Sequence, residues 1–144
     1  MLFIDDSTRY TWVYFLRRKS DVFKYFKEFR TMVLKQTGKS IKILRSDQGG
    51  EYKSGDFNKY CKENGIVQQF TVPHTPQQNG VAERKNRTLV ECARSMMKGK
   101  NLSNAFWAEA IITAVYLKIE VQQGVLIMLL LSKPCMVPNL QFII

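Results

Sequence analysis

The chain has a single histidine, three cysteines and four prolines in 144 residues. Cys61, Cys92 and Cys135 are far apart and form no C-x-x-C pair, so neither a zinc site nor a disulfide scaffold is read from them. They are expected to be reduced core cysteines of an intracellular protein. One histidine, His74, cannot build a histidine-based metal centre, and it is read as a loop residue. Acids are also scarce, 12 against 22 lysines and arginines, which gives a net charge of +10. Such a surplus points toward nucleic acid, although many basic proteins bind none. Long apolar runs are missing. "VLIMLLL" (Val125–Leu131) is too short to cross a bilayer, so no membrane partner is expected. The opening "MLFIDDSTRY" has no basic n-region and no long apolar core, and it is not read as a signal peptide. Internal repeats and low-complexity linkers are absent.

What is present suits one domain with a real core, since 45% of the residues are hydrophobic and 12% aromatic. "MLFI" and "YTWVYFL" (Tyr10–Leu16) flank the turn residues "DDSTR" and predict a β-hairpin. Ser20 is a candidate cap for a helix in which Val22, Phe26, Phe29 and Val33 form an apolar stripe ending at Gly38. "IKILRS" (Ile41–Ser46) predicts a buried strand. Asp56–Asn64 predicts a helix stopped by Gly65, and "VQQFTV" (Val67–Val72) a strand closed by Pro73. A long helix is expected over Gly80–Lys98 and another from Ser103. This alternation predicts an α/β fold with a mixed sheet.

Two acids stand where chemistry is expected. Asp47 ends the "IKILRS" strand before a Gly turn, where α/β sheets keep their sites, although a plain turn aspartate would also fit there. Glu83 falls in the first turn of the helix expected from Gly80, where the helix dipole alone would favour a carboxylate. Thirty-five residues separate the two.

The stretches "LRSDQGGEY" and "FTVPHTPQQNGVAERKNRTLVECARSMM", with "FIDDSTRYTWVYFLRRKSDVF" and "FWAEAIITAVYL", resemble the integrase core of copia-type retrotransposons, relatives of the retroviral integrases. The resemblance covers roughly residues 2 to 117. It implies a ribonuclease-H-like fold, a mixed sheet flanked by helices. It also implies a polynucleotidyl transfer reaction in which an Asp, Asp, Glu triad binds two Mg²⁺ or Mn²⁺ ions. Asp47 matches the second carboxylate and Glu83 the third. Asn86, Arg87 and Arg94, on the same side of the helix as Glu83, and Gln78 and Asn79 in the preceding loop, are the implied DNA contacts. Arg84 and Lys85 point elsewhere, and a solvated role and a working one both stay open for them. The implied partners are element ends and target DNA. The family's integrases oligomerise, and a nuclear location would follow if the chain functions.

Two departures matter. In the family the sheet order is 3-2-1-4-5, and the first strand, which carries the first Asp, has no counterpart in this sequence. Asp5 and Asp6 match the family's second strand and its turn, where acids are common but not catalytic. The chain is therefore expected to lack the central strand, with its gap left open, bridged directly, or filled by the tail through "VLIMLLL". After Leu117 the family continues with an Asn-Arg-Ser-Pro-Thr segment, whereas this chain reads "KIEVQQGVLIMLLLSKPCMVPNLQFII". Back-translation one base out of frame can restore the family continuation. Residues 1–117 are thus read as a partial integrase core and 118–144 as an out-of-frame tail. The rival readings are a non-catalytic nucleic-acid-binding module, a non-functional fragment and, least favoured, a different ribonuclease-H-like nuclease.

Overall fold

Asp5 closes the first turn of the chain. Its Oδ2 accepts hydrogen bonds from the Thr8 backbone N–H at 3.0 Å and the Thr8 hydroxyl at 2.5 Å, a local side-chain-to-backbone link that fixes a turn. Strands β1 (Leu2–Asp5) and β2 (Thr11–Val13) then pair antiparallel, with Phe3 opposite Trp12. The computed structural model describes residues 1–71, 76–130 and 141–143, with side-chain detail for 1–71 and 80–119.

Helix α1 (Val22–Thr37) buries Val22, Phe26, Phe29 and Val33, the stripe expected from the sequence. It ends at Gly38, whose φ of 67° is the left-handed conformation that glycine adopts without a Cβ penalty. Its start differs from expectation. Ser20 lies in a 3₁₀ turn (Lys19–Asp21) and does not cap α1. The N-cap position falls on Asp21, whose carboxylate accepts the Arg18 N–H at 3.1 Å. Strand β3 (Ile43–Ser46), helix α2 (Gly55–Glu63) and strand β4 (Val67–Phe70) follow. Ser54 caps α2 by accepting from the Phe57 N–H, and Gly65 turns the chain at φ 66°.

Helix α3 (Pro76–Gly99) starts earlier than the Gly80 expected from the sequence. Pro76 suits a helix start, because it lacks only an N–H that would find no intrahelical partner there. Helix α4 (Trp107–Leu130) runs unbroken past Leu117 and Lys118. It absorbs most of "VLIMLLL", which therefore makes helix and not the makeshift strand proposed for it. Leucine and methionine are good helix formers, and extending an existing helix needs no new nucleus.

The tail nevertheless supplies a strand. β5 (Gln141–Ile143) sits between β1 and β3, giving the order β2-β1-β5-β3-β4. It pairs antiparallel with β1 (Ile4 opposite Ile143) and parallel with β3 (Leu44 opposite Phe142). This is the position of the central first strand in the family order.

The sheet is covered on both faces. Phe3 and Leu44 pack with Phe26, Phe29 and Phe57 from α1 and α2, and the Phe3 and Phe29 rings stack at 4.0 Å. Leu2 and Val13 pack on the other side with Leu89, Ala114 and Val115 from α3 and α4. Adjacent residues Leu2 and Phe3 thus serve opposite layers, as strand alternation requires.

Candidate nucleic-acid and metal site

Asp47 follows β3 directly. Its Oδ1 accepts the Gly49 N–H at 2.9 Å, which draws the "QGGEY" turn back over the strand end. Gly49 lets two carboxylates come close: a Cβ there would stand 3.0 Å from Asp47 Oδ1 and 2.9 Å from Glu51 Oε2. The buried Tyr52 hydroxyl is held above the usual phenol range, first by burial and then by the negative charges of Asp47 and Glu51.

Glu83 lies on α3. With Asn86 and Ala82 it lines a cavity of about 370 Å³ whose other walls include Leu2, Glu51 and Tyr52. Arg45 pairs with Ile143 and Ile143 with Ile4, so two residues further along β3 Asp47 is level with Leu2. Leu2, level with Asp47 but two strands away, lines the Glu83 cavity, and Asp47 is not among that cavity's lining residues. Glu83 is two turns inside α3 and not in its first turn, as the shorter helix had implied. The helix-dipole benefit fades within the first turn and does not account for it.

The other candidates fall as follows. Asn86, Arg87 and Arg94 are exposed on α3, and Asn86 shares the Glu83 cavity. His74 and the side chains of Gln78 and Asn79 lie outside the described residues. Asp5 is 2% exposed, with its Oδ2 on Thr8 and its buried Oδ1 without a hydrogen-bond partner among the described residues, and Asp6 pairs with Arg9 at 2.6 Å. By register Asp5 is level with Leu44, three residues from the level of Asp47 and two strands away. At about 3.3 Å per residue and about 4.8 Å per strand, that is roughly 10 Å in each direction. Two carboxylates so placed cannot share one cation, whose oxygen ligands stand about 2.0–2.6 Å from the metal.

Sequence reasoning missed Glu51, although "DQGGEY" places an acid four residues past Asp47 at the end of the same turn. It also left Lys85 open. Lys85 is half-buried on the opposite side of α3, and its ammonium is held below the usual lysine range by burial first, then by the positive charges of Lys118 and Arg9. Cys61 is buried, with its thiol pushed up to about 11 by desolvation; Cys92 is half-buried, and Cys135 lies outside the described residues. No helix among the described residues is long and apolar enough to cross a membrane.

The fit to a metal is incomplete. Among the described residues no three acidic, histidine or cysteine side chains gather as a metal set. The strand in the family's first position reads Gln141, Phe142, Ile143, with no carboxylate. As folded, the described residues do not form the three-carboxylate set of a two-metal site.

A mixed sheet of this order flanked by helices is the ribonuclease-H-like fold of integrase cores. Residues 1–76 match the integrase core domain family, and the chain belongs to it. Its relatives are Pol polyproteins of copia-type retrotransposons. It is 53% identical over 115 residues to the retrovirus-related Pol polyprotein from transposon TNT 1-94 of Nicotiana tabacum, covering 80% of this chain and 9% of that protein. It is 37% identical over 117 residues to that from transposon RE2 of Arabidopsis thaliana, covering 81% of this chain and 8% of that protein. The chain thus spans less than a tenth of these relatives. Among solved structures it resembles the HTLV-2 integrase catalytic core domain in complex with magnesium, in its trimeric form, with TM-score 0.57 and 17% identity over 80% of this chain and 69% of that one.

Proposed function

We propose that the chain is a remnant of a DNA-integrating enzyme that holds DNA along α3 but does not itself cut and join it. The observation that carries this reading is the central strand position. The family's first Asp belongs there, and β5 brings Gln141, Phe142 and Ile143 instead. Asp47 and Glu83 supply two carboxylates, and in the family's chemistry two Mg²⁺ or Mn²⁺ ions need three such groups. In the intact family site one metal activates the attacking water or 3′ hydroxyl and the other steadies the leaving oxygen. With purified chain, Mg²⁺ or Mn²⁺ and a linear donor DNA, the expected result is neither end processing nor strand joining. Robust joining that depends on Glu83 would overturn the reading and make another acid the missing ligand, with Glu51 the first to test by Glu51→Gln.

DNA binding is the retained property. Exposed Arg87 and Arg94 share a side of α3 with Glu83. Phosphate contacts release counterions, so binding is expected to weaken with salt. Arg87→Ala should lower the affinity and flatten the slope of log K against log salt by about 0.9, the share of one phosphate contact. An unchanged slope would move the DNA off this helix. No binding at any salt would favour a fragment without function.

A further inference from the structure

We infer that the cavity between α3, α4 and the β1–β2 turn is a phosphate-binding site. The cavity is about 400 Å³, and four of its lining residues are cations: Arg9 from the turn, Arg84 and Lys85 from α3, and Lys118 from α4. Thr88 adds a hydroxyl, Ile4 forms an apolar floor at 0% exposure, and no acid lines the space among the described residues. Three separate elements thus aim positive charge at one concavity.

Like charges brought together beside a buried sheet repel more strongly than they would in water, because the effective dielectric there is lower. An anion in the cavity reverses the sign of that term. The donors suit phosphate in particular. Arginine presents a planar fork to two oxygens, lysine a compact charge to one, and the threonine hydroxyl can donate to a third. Arg9 is anchored by its Nη1 on Asp6 at 2.6 Å, which fixes the guanidinium at the rim. Arg84 lies back along α3, so that a Cβ on Gly80 would meet its Nη1 at 3.0 Å. The spacing Arg84, Lys85, Thr88 repeats along one side of α3, whereas Glu83 and Asn86 line the other cavity. Helix α3 therefore separates two sites, and this one does not depend on the reading of Glu83. The ligand is a phosphate group carried by a polyanion, either a nucleic-acid backbone or a free polyphosphate.

The test uses the full chain with two probes, inorganic tripolyphosphate and a short DNA duplex. Backbone amide shifts on adding tripolyphosphate should centre on Arg9, Lys85, Thr88 and Lys118. Shifts centred on the Glu83 side of α3, or no shifts with either probe, would overturn the site without recourse to any variant. Lys85→Ala with Lys118→Ala should weaken tripolyphosphate by about tenfold or more. If duplex phosphates use the cavity, the same pair should lower the DNA salt slope by about 1.8, two contacts' worth. A loss confined to tripolyphosphate assigns the cavity to small phosphates, and a loss confined to DNA assigns it to the backbone. Thr88→Glu, which puts a carboxylate among the cations, should reproduce the loss. Lys62→Ala, at an exposed cation on α2, should leave tripolyphosphate binding unchanged. Parent-like binding of both probes by a folded double variant would remove the proposal.

Discussion

A chain cut after Leu140 is expected to lose its cooperative unfolding transition and to aggregate. The cut removes β5, the strand that joins the β1–β2 hairpin to the β3–β4 pair. Without it β1 and β3 each present a row of N–H and C=O groups toward the same empty slot. Each buried group left without a partner costs about 1–3 kcal/mol, and several such losses rival a whole domain's margin of about 5–15 kcal/mol. Open strand edges also recruit other chains. Phe142→Pro should act in the same direction within the full chain. Phe142 lies opposite Asp5 on one side and Leu44 on the other, and proline in a central strand cannot donate to a ladder. The measurements are denaturant unfolding and size-exclusion chromatography of the three chains together. If the chain ending at Leu140 unfolds as a monomer at the parent midpoint, β5 does not hold the sheet together. A chain extended by the family's Asp-bearing strand would set two segments competing for one slot, and its midpoint should exceed that of the parent if the native first strand fits better than the tail.

The β5 slot also shows where reading the sequence stops short. The family order marked the slot between β1 and β3, and the sequence left three outcomes for it: an open gap, direct pairing of the two strands, or the tail. Which residues would fill it did not follow. "VLIMLLL" has the apolar content of a buried strand, but it continues α4, and a helix already under way extends at little cost. Gln141–Ile143 is only three residues long and owes its strand state to the two edges that flank it. The α1 stripe was legible because its period is local and repeats through Val22, Phe26, Phe29 and Val33. Gly38 and Gly65 were legible as stops for the same reason, and both are left-handed. Asp47 and Glu83 were singled out by their motifs. Their setting was not legible, since the start of α3 at Pro76 places Glu83 two turns from the helix end. Lys85 was left open because its cavity is made by Arg9 and Lys118, which are remote in sequence and meet it only through the β1–α3–α4 packing.

Phe26→Ala tests the part of the fold that the sequence specified best, and a large loss of stability is expected. Phe26 is fully buried between the sheet and α2. Its ring lies 5.0 Å from that of Phe57, nearly parallel at 20°, and 6.2 Å from that of Phe3. Removing it takes away the transfer energy of a benzyl group and leaves a cavity bounded by aromatic rings that cannot collapse into it. Such a change costs about 3–5 kcal/mol, a large share of a margin of about 5–15 kcal/mol. Phe15→Ala is the control, because that ring is 45% exposed and exposed positions usually shift stability by less than about 0.5 kcal/mol. The Phe57→Ala single variant and the double variant complete a cycle. Rings in this geometry are expected to couple by about 0.5–1.5 kcal/mol beyond their buried area, so the double loss should fall short of the sum of the single losses. Strictly additive losses would mean that Phe26 and Phe57 do not touch. A Phe26→Ala midpoint equal to that of the parent would mean that α1 does not pack on the sheet through this face.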